Sequence, residues 1–382
     1  MKVLVVDDSL LFRRIMLDAL SSLPDVEVVG QASHGKLALQ RLRELRPDLM
    51  TLDLEMPEMA GLAVLDAMRE AGDKTAVIVV SALSRQGARI TMQALQKGAF
   101  DFITKPDTPS PAESRDFLRS ELAPRLRALS LRLGVRHILR SASAPAAAAT
   151  ATAPLASPAP PQAASPAPAK AAPLDEIRSR MDRLTKTARP EMVLIGVSTG
   201  GPNALDCLLP ALPGNLGVPV LIVQHMPPVF TQSLAESLDA RCALRVSEAA
   251  PGEIAEANHV YIAPGGRQMR LAAGPRGEKI IQITDDPPEN NCRPAVDYLF
   301  RSVSLQFAGR AMAVILTGMG SDGTLGLRLL KRNGCLVLAQ DESSCVVYSM
   351  PKAAVEAGVV DVILPLEAIA GRIAAAIRGG GL

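Results

Sequence analysis

Ser198 lies where an apolar run breaks into small residues, Met192-Val193-Leu194-Ile195-Gly196-Val197-Ser198-Thr199-Gly200-Gly201. Glycines on both sides let the backbone turn sharply and let a substrate come close. A helix starting just beyond would aim its unbonded N–H groups at the serine, where they could stabilise an oxyanion. Such a serine is a candidate nucleophile in the manner of a nucleophile elbow, although the spacing is not G-x-S-x-G. The rival reading is a glycine loop that cradles a phosphate. Gly196, Gly200 and Gly201 match neither the Walker spacing nor G-x-G-x-x-G, which weighs against it.

A serine nucleophile needs a base, and the base needs an acid to hold its tautomer. The chain has four histidines, His34, His137, His225 and His259. Only the last two share the C-terminal half with Ser198. His225 directly follows the apolar run Val220-Leu221-Ile222-Val223-Gln224, whereas His259 precedes the run Val260-Tyr261-Ile262-Ala263. Ligands in open parallel sheets sit beyond the carboxyl ends of the strands, which favours His225. The alternative for it is a hydrogen-bonded structural role beside Met226-Pro227-Pro228. The acid is expected at Asp322, in Thr317-Gly318-Met319-Gly320-Ser321-Asp322-Gly323, again after an apolar run. A helix N-cap is its bland alternative, and Asp285, Asp286, Asp297 and Asp341 compete for the role. The order Ser–His–Asp differs from the Ser–Asp–His order of α/β-hydrolases and argues for a separate lineage.

The N-terminal part carries a different chemistry. Asp7 and Asp8 follow one apolar run, Asp53 another, Ser81 a third, and Lys105-Pro106 a fourth. Any one acid could be an ordinary cap or turn residue, but five such groups at successive strand ends form a set. Clustered carboxylates stay ionised only with a cation beside them, and Mg²⁺ prefers oxygen ligands. The set suits aspartyl phosphoryl transfer. Asp53 is the expected acceptor, Ser81 and Lys105 bind phosphoryl oxygens, and Mg²⁺ is held by Asp7, Asp8, Asp53 and Glu55.

Elements must place these groups. Apolar runs over 3–6, 26–29, 49–52, 77–80 and 100–104 read as strands, and stripes such as Phe12, Ile15, Met16, Ala19 and Leu20 have helical spacing. The C-terminal half repeats the grammar with strands over 193–197, 220–223, 260–263, 313–316, 336–339 and 360–364, and helices over 228–238, 294–307, 325–332 and 366–377. Residues 269–283 add an antiparallel pair. The expected fold class is α/β, two doubly wound parallel-sheet domains, the first flavodoxin-like. Between them, residues 141–173 are almost wholly Ala, Pro, Ser and Thr, which cannot bury enough surface to offset ordering entropy and read as a semi-extended tether. A short helical piece over 175–186 follows. The basic stretch 115–140 reads as the last helix of the first domain and its extension, interrupted at Pro124. The division is 1–125, a connecting 126–189, and 190–382.

Composition removes several function classes. Lys plus Arg is 41 and Asp plus Glu 39, a net charge of +2, and there is no Trp; neither a basic surplus nor a base-stacking platform points to nucleic acid. The five cysteines include no close pair, so a disulfide framework or a structural zinc site is not expected. No apolar stretch reaches the ~20 residues of a membrane helix, and the apolar start is too short for a signal peptide. A cytoplasmic protein without direct membrane insertion is expected.

Two resemblances follow from these motifs. Residues 1–125 resemble response-regulator receiver domains, through Asp7/Asp8, Asp53, Ser81 and Lys105-Pro106, with Phe102 where that family often carries a switch aromatic. Residues 190–378 resemble the catalytic domain of chemotaxis protein-glutamate methylesterases. The matching motifs are 196–201, Gln224-His225-Met226-Pro227, Tyr261-Ile262-Ala263-Pro264-Gly265, 316–323 and 340–347. The resemblance implies a Ser198, His225, Asp322 triad, with oxyanion contacts near Thr199 and Met319. It implies hydrolysis of glutamate methyl esters, and deamidation of glutamine, on the cytoplasmic domain of chemoreceptors, with a histidine kinase as phosphodonor and no cofactor in the esterase site. The unphosphorylated receiver is expected to pack over the catalytic face, though the long Ala/Pro tether lowers the effective concentration of one domain near the other. A binding regulator whose serine site serves only for docking is a separate reading, opposed by the intact Ser198, His225 and Asp322. A DNA-binding regulator lacks any basic recognition helix.

Overall fold

The computed structural model of the chain describes residues 1–108, 110–142 and 189–379. The Ala/Pro tether and the helical piece expected over 175–186 lie outside the described residues.

In the first domain the elements alternate: β1 (Lys2–Val6), α1 (Leu10–Ser21), β2 (Glu27–Ala32), α2 (Gly35–Leu45), β3 (Leu49–Asp53), α3 (Gly61–Glu70), β4 (Ala76–Ser81), α4 (Arg85–Gln96), β5 (Asp101–Thr104) and α5 (Pro111–Ala142). The strands form one parallel sheet in the order β2-β1-β3-β4-β5. Period-two alternation feeds both faces. Val3, Val5, Leu49, Ile78 and Val80 pack with Leu118 and Leu122 of α5, while Leu4, Val6, Met50, Leu52 and Val79 pack on the opposite side. The expected stripe of α1 is buried at Ile15, Met16, Ala19 and Leu20, and Ser9 caps the helix by accepting from the Phe12 N–H.

Pro124 does not interrupt α5, contrary to the sequence expectation; it sits inside a continuous helix. A proline there removes one backbone bond and strains the preceding turn. Buried Leu118, Leu122, Leu126 and Leu129 hold the helix to the sheet on both sides of it, and burying one such side chain is worth ~1.5–3 kcal/mol.

The second domain runs β6 (Met192–Val197), α6 (Gly201–Leu208), β7 (Val220–Gln224), α7 (Phe230–Asp239), β8 (Arg245–Glu248), β9 (His259–Ile262), β10 (Gln268–Ala273), β11 (Lys279–Thr284), α8 (Val296–Gln306), β12 (Ala311–Ile315), α9 (Thr324–Arg332), β13 (Leu336–Gln340), α10 (Ser349–Glu356), β14 (Val362–Leu364) and α11 (Leu366–Arg378). Seven strands form a parallel sheet in the order β14-β13-β12-β6-β7-β9-β8. β10 and β11 are the expected antiparallel pair. The edge strand β8 and the helix α10 are additions to the sequence reading; both are short, and β8 buries fully only Val246.

The two domains meet. Helix α4 lies against α6 and α7. Phe102 of β5 stacks on Phe230 of α7, with ring centroids 4.8 Å apart and planes 13° from parallel. Gln96 Nε2 donates to Ser237 Oγ at 2.7 Å, and Asn203 Nδ2 donates to the Ala99 carbonyl at 3.3 Å.

Candidate active site

The strand order of the larger sheet reverses direction around β6. From there the chain builds outward to β7 on one side and, later, to β12 on the other. A crevice forms at such a switch point, beyond the carboxyl ends of the strands. Ser198 follows β6, His225 follows β7, and Asp322 lies in the loop after β12. One cleft of about 310 Å³ is lined by Ser198, Thr199, His225 and Cys292 of this domain and by Phe102 and Arg125 of the first.

Asp322 is the better-held partner of the pair. Its Oδ2 lies 2.7 Å from His225 Nε2 and accepts the Val296 N–H at 2.7 Å. Its Oδ1 accepts from Asn290 Nδ2 at 2.8 Å and from the backbone N–H groups of Asp297 and Gly323, each at 3.0 Å. Val296 and Asp297 open α8, so the carboxylate also sits at a helix N-terminus. Burial alone would raise its pKa, but His225 and these donors outweigh that and hold it below the ordinary carboxylate value. Burial likewise disfavours a charged His225, yet its bonds to Asp322 and Cys292 lift the imidazole to about 9. The other ring nitrogen, Nδ1, faces Cys292 Sγ at 3.7 Å.

Backbone pairing brings Ser198 and His225 together. The His225 N–H donates to the Val197 carbonyl, and Gln224 Nε2 spans the carbonyls of Ser198 and His225 at 3.0 and 3.1 Å. On the other side the Ser198 N–H donates to Thr317. The turn demands glycine at particular places. Gly200 has φ +75°, a left-handed conformation. A Cβ on Gly318 would lie 2.8 Å from Ser198 Cβ and 2.3 Å from Met350 Sδ. Among the described residues, the Ser198 hydroxyl and the N–H groups of Thr199 and Met319 have no hydrogen-bond partner. A nucleophile's bond to its base is often made only when substrate binds.

The competing residues are engaged elsewhere. Asp297 is buried and its Oδ1 accepts the Gly326 N–H, tying α8 to α9. Asp285 pairs with Arg267, Asp286 with Tyr298, and Asp341 with Ser343 and Ser344. His259 bonds Ser247 and packs its ring at a tilt against Tyr261, the structural alternative for a histidine at a strand's start. Asn290 and Cys292, which touch Asp322 and His225, were not legible in the sequence. They lie in a loop with no periodic pattern, and only the fold brings that loop to the crevice.

In the first domain the sheet switches direction between β1 and β3, and the acidic set collects there. Lys105 Nζ lies 2.7 Å from Asp53 Oδ2 and 2.9 Å from Asp7 Oδ2. Burial, with repulsion from Asp53, raises Asp7 to about 6 despite Lys105. Two buried carboxylates thus share the Lys105 ammonium. Asp7, Asp8 and Asp53 each offer an oxygen within 4.8 Å of the others, a hard donor set that fits Mg²⁺. The carboxylate of Glu55 is outside this group and exposed; its backbone N–H instead donates to Asp53 Oδ1 at 3.2 Å. Ser81 is buried at the end of β4.

Comparison with known proteins agrees in both halves. A family model for the CheB methylesterase matches residues 193–373, and one for the response regulator receiver domain matches residues 3–112. A protein-glutamate methylesterase/protein-glutamine glutaminase of Desulfotalea psychrophila is 46% identical over 99% of both chains. One of Nocardioides is 42% identical over 96% of this chain and 92% of its own. Among solved structures, the CheB methylesterase catalytic domain of Thermotoga maritima is 42% identical and covers 49% of this chain and 98% of its own, with a TM-score of 0.48. The response regulator domain of the same organism's CheB is 40% identical over 32% of this chain and 92% of its own, with a TM-score of 0.29. A receiver domain and a methylesterase domain in one chain, with whole-length identity to such relatives, make this chain a member of the protein-glutamate methylesterase/protein-glutamine glutaminase family.

Proposed function

We propose that the chain hydrolyses glutamate γ-methyl esters, and deamidates glutamines, on the cytoplasmic domain of chemoreceptors, and that phosphorylation of Asp53 controls this. The observation that carries the hydrolase reading is the Asp322–His225 bond at 2.7 Å beside Ser198 at the sheet's switch point. Asp322 fixes the proton on Nε2 and leaves Nδ1 to act as base. Ser198 Oγ attacks the ester carbonyl while Nδ1 takes the hydroxyl proton. The N–H groups of Thr199 and Met319 stabilise the tetrahedral oxyanion. The Nδ1 proton then passes to the departing methoxide, which leaves as methanol and a Ser198 ester remains. Water, deprotonated in turn by His225, cleaves that ester, Ser198 Oγ takes the proton back, and the receptor keeps a glutamate side chain. An amide passes through the same oxyanion, so ammonia can leave from glutamine in the same way.

Control rests on the first domain. A histidine kinase would supply the phosphoryl group to Asp53, with Mg²⁺ held at Asp7, Asp8 and Asp53, and Ser81 and Lys105 binding the phosphoryl oxygens. The metal there would neutralise charge on the transferring group. Phe102 and Arg125 on the wall of the catalytic cleft, together with the Phe102–Phe230 stack, support a receiver that covers the site until phosphorylation loosens the contact.

The test is methanol release from methylated receptor. Ser198→Ala should lose roughly 10³-fold or more in kcat. A variant retaining the wild-type rate would remove the serine mechanism.

A further inference from the structure

We propose that the catalytic cleft is also a binding site for a soft divalent cation of the zinc class, held between Cys292 Sγ and His225 Nδ1, and that occupying it switches the hydrolase off. Zinc binds thiolate at ~2.3 Å and imidazole at ~2.0–2.1 Å with tetrahedral angles, so the two donor atoms should lie about 3.5 Å apart. Sγ and Nδ1 are 3.7 Å apart. The imidazole is already oriented as a metal ligand. A histidine that binds metal through one nitrogen usually gives the other N–H to a carboxylate, which fixes the ring and raises its basicity. Asp322 does this at Nε2, itself held by Asn290 and by the backbone of Val296 and Asp297.

The surroundings suit a cation. Asp322 brings a negative charge, and one oxygen of it lies within 4.8 Å of a ring nitrogen of His225 and of Cys292 Sγ. The cleft is open enough for water to complete the coordination shell. A thiolate-containing pair selects zinc-class ions over Mg²⁺, which the oxygen cluster of Asp7, Asp8 and Asp53 prefers. On binding, the thiol loses its proton and Nδ1 gives its lone pair to the metal, so that lone pair no longer accepts a proton from Ser198. Metal binding stands on the Cys292–His225 geometry alone; the inhibitory half rests on the proposed role of His225 as base.

The two halves are tested separately in the full chain, with excess Mg²⁺ to fill oxygen sites. Cobalt(II) should give a thiolate-to-metal charge-transfer absorption that saturates at one metal per chain and disappears in Cys292→Ser. Zinc should abolish methanol release reversibly, a chelator restoring it, and Cys292→Ser should need at least tenfold more zinc for the same loss. No charge-transfer band, or one unchanged in Cys292→Ser and so arising from another thiol such as exposed Cys207, overturns the site. A Cys292-dependent band with zinc-insensitive hydrolysis overturns the inhibition. Because the band is read without any substrate, its loss is distinguishable from a failure of the esterase reading.

Discussion

At the scale of single residues, the consequential number is the basicity of His225. Burial opposes its charge, but Asp322 and Cys292 together hold the imidazole at about 9. A general base works in its neutral form, so kcat/KM for ester hydrolysis should climb as pH rises and level off only above about 9. Cys292→Ala removes one of the groups that favour the proton, and the inflection should move to lower pH. A profile already flat from pH 7, or one that Cys292→Ala leaves in place, would contradict this account. The same shift has a sign for stability. The folded pKa lies above the ordinary histidine value of 6.5, so the stabilisation from the imidazolium–carboxylate pair is complete below about 6.5 and is lost as pH rises through about 9.

At the scale of elements, the site depends on how closely the loop after β12 approaches the turn after β6. The Ser198 N–H bonds the Thr317 carbonyl, and the Gly318 N–H bonds the Val347 carbonyl, locking that loop from both sides. Thr317 Oγ adds a bond to the Thr199 carbonyl at 3.0 Å. Gly318→Ala would push a methyl group toward Ser198 Cβ and Met350 Sδ. The sulfur can swing aside, but Ser198 cannot move without leaving its turn. Hydrolysis should therefore fall at least ~10-fold, with only ~1–3 kcal/mol lost in urea unfolding. A variant with wild-type kcat/KM would show that this approach does not fix the serine.

At the scale of the whole molecule, the question is what the first domain does to the second. The contact through α4 and the Phe102–Phe230 stack puts receiver residues on the wall of the cleft. Aromatic stacks of this kind add ~0.5–1.5 kcal/mol beyond burial, and an allosteric coupling of ~1–3 kcal/mol corresponds to ~5–150-fold in equilibrium. A small-molecule phosphodonor with Mg²⁺ should raise hydrolysis by the full chain by a factor within that range. Residues 189–382 alone should run at the raised rate without responding. Equal rates for both proteins, with no effect of the phosphodonor, would end the steric account.

Local sequence determined much of this. Runs such as Lys2–Val6 and Met192–Val197 are strands because continuous apolar residues suit a sheet buried on both faces. Residues following such runs had to collect at one rim, so Ser198, His225, Asp322, Asp7, Asp53, Ser81 and Lys105 could be named before any coordinates. Only tertiary structure decided which loops without periodicity would reach that rim. Asn290 and Cys292 arrive there because α8 is anchored on Asp322 through its first N–H groups. Pro124 stays within a helix because packing on the sheet outweighs one lost backbone bond. The side chain of Glu55 turns outward to solvent while its N–H serves Asp53. Each of these depends on contacts between segments far apart in the chain, and local pattern carries no information about such contacts.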